Sequence, residues 1–221
     1  MSPKVGVAVE SGAKKVFATA VDWPGWSRSG KTEELALAAL LAAAERYVAV
    51  AMEAREPFPP PPRLGDLRIV ERNPGGAGTD FGVPSVVTEH DGRPVTAPEA
   101  DRLRRLVAAA WTVFDRVAAD APADLRRGPR GGGRDRHKVV DHVLEADHAY
   151  AQVMGIRVAV PSRADGGSIE TMRSAMLDML GQRSDGSPLG GRKWPPRYAA
   201  GRIAWHALDH AWEIEDRSEP A

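Results

Sequence analysis

The chain contains no cysteine. Disulfide staples, thiolate zinc sites and cysteine nucleophiles are therefore excluded, and any transition-metal site must be built from histidine and carboxylate. No apolar run approaches the ~20 residues that cross a bilayer. The first ten residues carry one lysine and a short alternating stretch, without the apolar core of a signal peptide. A soluble, cytoplasmic protein with no membrane partner is expected. Charge is not in excess of either sign: 30 Lys and Arg face 30 Asp and Glu. Such a chain has no whole-molecule footprint for nucleic acid. What is present is 221 residues with 43% hydrophobic content, enough for one large domain or two small ones.

The residue pattern predicts an α+β protein in two segments. In residues 1–80, Val5, Val7 and Val9 alternate, and residues 16–21 form a second apolar run. With the Ser11-Gly12 turn between them, the two read as a hairpin. Turn chemistry at Asp22-Trp23-Pro24-Gly25-Trp26 ends it. Thr32 reads as the N-cap of one long helix over residues 34–52. The prolines at 59–62 impose an extended connector, and Leu67-Arg68-Ile69-Val70 reads as a third strand. The expected unit is a separate ββαβ module, closed by the Gly75–Gly78 stretch. Its ten basic and ten acidic residues again argue against a nucleic-acid role.

Residues 96–217 read as four amphipathic helices, which suggests an antiparallel four-helix bundle. Thr96-Ala97-Pro98-Glu99 is a capping box. Leu103, Leu106, Val107, Ala110, Phe114 and Val117 follow it at helical spacing. A second helix is expected over residues 134–154. A third starts at a Ser168 cap and stops at Gly181, with Ile169, Met172, Met176 and Met179 along one face. The last opens at Pro195-Pro196 and runs to about Glu215.

Three histidines carry the chemistry. His206 and His210 stand four apart on the last helix, so both imidazoles share one face and can reach one ion. His142 lies in the middle of the second helix with Val139, Ala146, Ala149 and Val153 on its side, which points it inward. His137 and His148 fall on the polar side, and His90 lies in a loop. Three neutral imidazoles with open positions suit a catalytic rather than a closed structural site. Zinc is the first expectation; nickel, iron and manganese accept the same donors. Glu145, Asp209 and Glu213 are candidate outer partners or bases. Arg134, after the Gly131-Gly132-Gly133 loop, and Arg202, beside the histidine face, are candidates for holding an anionic part of a substrate.

On His142 within Val139-Val140-Asp141-His142-Val143-Leu144, on the His206/His210 pair, and on the Trp212-Glu213-Ile214-Glu215-Asp216 ending, residues 96–217 resemble the DinB/YfiT-like superfamily of metal-binding four-helix proteins. The resemblance implies a divalent metal on three histidines with room for a small-molecule substrate. It further implies either transfer chemistry that uses a low-molecular-weight thiol, or amide hydrolysis. The maleylpyruvate isomerases of that group carry Glu where this chain has His206, a departure from their pattern. Residues 4–72 resemble HicB-like antitoxin domains, on the opening strands, the proline-containing turn and the helix entry at Ser29-Gly30-Lys31-Thr32-Glu33-Glu34. This implies a module that acts through a protein partner. Two classes therefore stand: a metal-dependent enzyme, thiol transferase before hydrolase, and a non-catalytic binding or regulatory protein. The aromatic side of the last helix, with Trp205 and Trp212, is expected to pack on helix neighbours, on the N-terminal module, or on a second subunit in a homodimer.

Overall fold

The structure, a computed structural model, describes residues 4–58, 63–127 and 135–218. Among these residues it is a mixed α+β molecule with a four-stranded sheet near the N-terminus and seven α-helices. The proline run at 59–62 and the glycine loop with Arg134 lie outside the described residues.

β1 (Val5–Ser11) and β2 (Val16–Ala20) form the expected antiparallel hairpin, with Val7 opposite Ala20 and Ser11 opposite Val16. β3 (Ser27–Gly30) is an addition to the sequence reading. Its Ser-Arg-Ser-Gly sequence has no β-branched or aromatic residue to signal a strand. It is a strand because β2 offers a free edge and the Thr19 and Ser27 hydroxyls bond at 2.7 Å. β4 (Leu67–Pro74) returns to the other side of β1, parallel to it, giving the order β3-β2-β1-β4.

The predicted single helix between β3 and β4 is two: α1 (Glu33–Ala42) and α2 (Ala44–Glu53), bent by 50°. Thr32 caps the first as expected, its hydroxyl accepting from Leu35 N. Nothing in Ala42-Ala43-Ala44 breaks a helix. The bend follows from packing, since α1 lies on β2 and β3 while α2 lies on the long helix α4. A short α3 (Ala77–Phe81) occupies the stretch read as a glycine loop.

The second segment contains α4 (Ala97–Asp120), α5 (Arg136–Val153), α6 (Gly166–Leu180) and α7 (Pro196–Ser218). Each touches two others, in the cycle α4–α7–α5–α6–α4. The Glu99 carboxylate accepts from both the backbone N–H and the hydroxyl of Thr96. The hydroxyl bond is the largest of several effects, Arg197 among them, that pull Glu99 down to about 2. α6 is capped by Asp165 rather than Ser168: Asp165 accepts from the N–H groups of Gly167 and Ser168. Among the described residues no single helix is long and apolar enough to cross a membrane.

The sequence reading expects two units with separate cores. Instead, one continuous apolar cluster runs from the valine face of the sheet through α1 and α2 into α4, α5, α6 and α7. The opposite face of β2 also meets α7, where Phe17 stands edge-on to Trp205 with centroids 6.1 Å apart. Arg28 of β3 bonds Asp209 of α7 at 2.6 Å and lies 4.2 Å over the Trp212 ring. Of the covers expected for the aromatic side of α7, the chain's own N-terminal segment is the one present.

Candidate metal centre

α5 and α7 bring His142, His206 and His210 together. Ring centroids are 5.1 Å apart for His142 and His206, 5.0 Å for His142 and His210, and 4.7 Å for His206 and His210. One nitrogen from each ring lies within 4.8 Å of the others. Nitrogens at ~2.05 Å from one tetrahedral zinc stand roughly 3.3 Å apart, so small rotations of the rings suffice to enclose an ion. His206 is buried and the other two are half-buried.

Glu213, one turn beyond His210, accepts a hydrogen bond from His210 Nδ1 at 2.8 Å. Its second oxygen accepts from Arg217 at 2.9 Å. These contacts, the histidine first, hold Glu213 below the usual carboxylate range. A carboxylate on Nδ1 fixes the tautomer that leaves Nε2 with its lone pair, the form a metal needs. Of the three candidate outer carboxylates, Glu213 is the one bonded to His210. Asp209 is turned away to Arg28, and Glu145 is exposed. Tyr150, two turns beyond His142, closes another side with its ring 5.7 Å from His206. Its spacing of eight from His142 was the signal for it.

His137 is exposed as expected, but His148 is half-buried, with Nε2 3.1 Å from the Val158 carbonyl oxygen. This reflects a rotation of α5 relative to the sequence reading. The fully buried stripe of that helix is Val139, Val143, Asp147 and Ala151; His142 stands at its edge, and Ala149 is exposed. The stripe therefore places a carboxylate in the core. Asp147 is 0% exposed, with its nearest cation, Arg173, at 4.0 Å. Burial pushes its carboxyl up to about 7, against the pull of Arg173.

A carboxyl raised in the fold binds its proton more tightly folded than unfolded. Its penalty is absent below about pH 4, grows as pH rises toward 7, and is complete above, reaching a few kcal/mol in order of magnitude. Arg173 keeps Asp115 as a partner at 2.6 Å. Asp147→Asn is therefore expected to stabilise the protein at pH 8 by ~1–3 kcal/mol, with a smaller effect at pH 5. Thermal melts of both proteins at the two pH values test this; a variant melting no higher than wild type at pH 8 refutes it.

Compared with protein-family models, curated proteins and solved structures, the chain matches none.

Proposed function

We propose that His142, His206 and His210 hold one divalent metal ion, zinc before nickel, iron or manganese, in a DinB-like four-helix bundle, and that this centre is catalytic. The observation that carries the reading is the convergence of three imidazole nitrogens from two helices within 4.8 Å. The donor set fits: neutral imidazoles suit borderline divalent ions, and no thiolate is present to select a softer one. Glu213 supports it by fixing the His210 tautomer. When bound, such an ion supplies Lewis acidity that lowers the pKa of a coordinated water or thiol and polarises a carbonyl. The chain's own residues orient the imidazoles and wall the site with Tyr150, and the partial exposure of His142 and His210 is what a substrate would use.

Among reactions open to such a centre, the reading favours transfer to a low-molecular-weight thiol over hydrolysis. The resemblance of residues 96–217 supports it, and a chain without cysteine must take its sulfur from outside. Metal-loaded protein is expected to consume an electrophile such as monochlorobimane with mycothiol, bacillithiol, glutathione or cysteine, and His210→Ala to reduce the rate at least 100-fold. If no thiol gives turnover above that variant while an ester or amide panel does, hydrolysis replaces transfer. If neither responds, the centre is not catalytic.

A further inference from the structure

Where the first half of α7 crosses the sheet, the two do not close completely. A cavity of about 70 Å³ remains between them. Its sheet side is the face opposite the valines, with Glu10 and Thr19; its helix side is Tyr198, Gly201, Arg202 and Trp205. That is more than the ~30 Å³ share of one water, and is the room of a few waters or one very small molecule.

Arg202 is placed to receive a charge. Its guanidinium lies 4.8 Å over the Trp205 ring and 5.4 Å over that of Tyr150. Nη1 is buried and has no hydrogen-bond partner, and no carboxylate among the described residues forms an ion pair with this side chain. A shielded guanidinium without a carboxylate at bonding distance is costly unless an anion arrives. The two wall carboxylates do not supply one. Glu10 accepts from the Thr79 hydroxyl and the N–H groups of Ser85 and Val86. Asp91 accepts from the Thr88 hydroxyl and N–H. Both would repel a second negative charge on a ligand, which favours a monoanion.

Gly201 makes a second, independent point. It lies in the interior of α7, where glycine costs ~1 kcal/mol relative to alanine. A Cβ built on it meets nothing within 4 Å. Close packing therefore does not require glycine here, and its effect is to keep the cavity open. The wall also carries Arg197, whose charge is met by Glu99 at 2.8 Å; the rest is largely apolar, including Trp23, Val86 and Leu103.

We propose that this cavity binds a small monocarboxylate with a short apolar body, its carboxylate held by Arg202. The proposal rests on the cavity and not on the metal reading, although Tyr150 touches both Arg202 and His206. The test uses full-length protein stripped of metal, so that failure of either reading is separable. Propionate is titrated while the tryptophan indole resonances are followed by NMR, with propionamide as the uncharged control and malonate as the dianion. Saturable shifts are expected with a dissociation constant on the order of 1–10 mM. Propionamide and malonate are expected to bind at least 10-fold more weakly. Arg202→Met is expected to lose at least 10-fold in propionate affinity. Gly201→Leu, which fills the space but keeps the guanidinium, is expected to abolish binding while folding normally. It decides the matter if Arg202→Met does not fold. Absence of saturation in the wild type, equal binding of the amide, or full affinity in Gly201→Leu overturns the proposal.

Discussion

Changing His206 to alanine is expected to strip the protein of its metal. Wild-type protein supplied with zinc or nickel should carry close to one equivalent by plasma mass spectrometry, and His206→Ala less than about a tenth, because losing one of three ligands exceeds the 10–100-fold cost of losing an outer partner. Glu213→Gln, which keeps the shape but weakens the hold on His210 Nδ1, should fall between, at that 10–100-fold loss. Melting temperature gives a second reading of the same event. A ligand at 100 times its dissociation constant stabilises the fold by about 2.7 kcal/mol. For a chain of this length that is a rise of roughly 5–11 °C, reversed by a chelator and absent in His206→Ala. Wild-type protein that remains below a tenth of an equivalent after metal addition would end the metal reading, whatever the variants do.

Gly25→Ala is expected to destabilise the whole molecule, not one half of it. Gly25 has φ +91°, and a Cβ there would stand 2.8 Å from Leu208 Cδ1, 2.9 Å from Ala204 Cβ and 3.0 Å from the Ala204 carbonyl carbon. The left-handed backbone alone costs an alanine ~1–2 kcal/mol, and although Leu208 can turn its Cδ1 away, the Ala204 Cβ and carbonyl carbon move only with the helix. A total near 3 kcal/mol or above corresponds to a fall of roughly 6–12 °C in melting temperature. Because Ala204 and Leu208 bracket His206 on α7, metal affinity should fall with it. One cooperative transition, shifted as a unit, is the expected melting curve. Two transitions of which only one moves would mean that the sheet and the helices unfold separately, and an unchanged curve would mean that the seam tolerates a methyl group.

The histidine pair was legible because helical spacing alone places both rings on one face, whereas His142 reaches them from the edge of the buried stripe of α5. The capping box of α4 and the hairpin were legible for the same reason: each is a short-range pattern whose physics is complete within a few residues. What was not legible depended on partners far along the chain. Ser27–Gly30 has no strand signal of its own and becomes one only beside β2. The bend at Ala43 has no breaker and exists because α1 and α2 rest on different neighbours. The true inner face of α5 was misjudged by one position because a carboxylate, Asp147, occupies a core site that composition assigns to an apolar residue. The joining of the two segments was missed for a related reason. Trp205 and Trp212 announce that something covers them, but not that it is Phe17 and Arg28.

The seam between sheet and α7 also orders events during synthesis. Arg28 and its partner Asp209 are 181 residues apart. At ~5–20 residues per second, the hairpin emerges from the ribosome on the order of ten seconds or more before α7 can reach it. During that interval Phe17 lacks its Trp205 partner, and the side of Gly25 that faces Ala204 and Leu208 stands open. The nascent hairpin is thus held open to chaperones or to misdirected pairing until the histidine helix arrives. Its docking covers that side of the sheet and assembles the candidate metal centre in the same step.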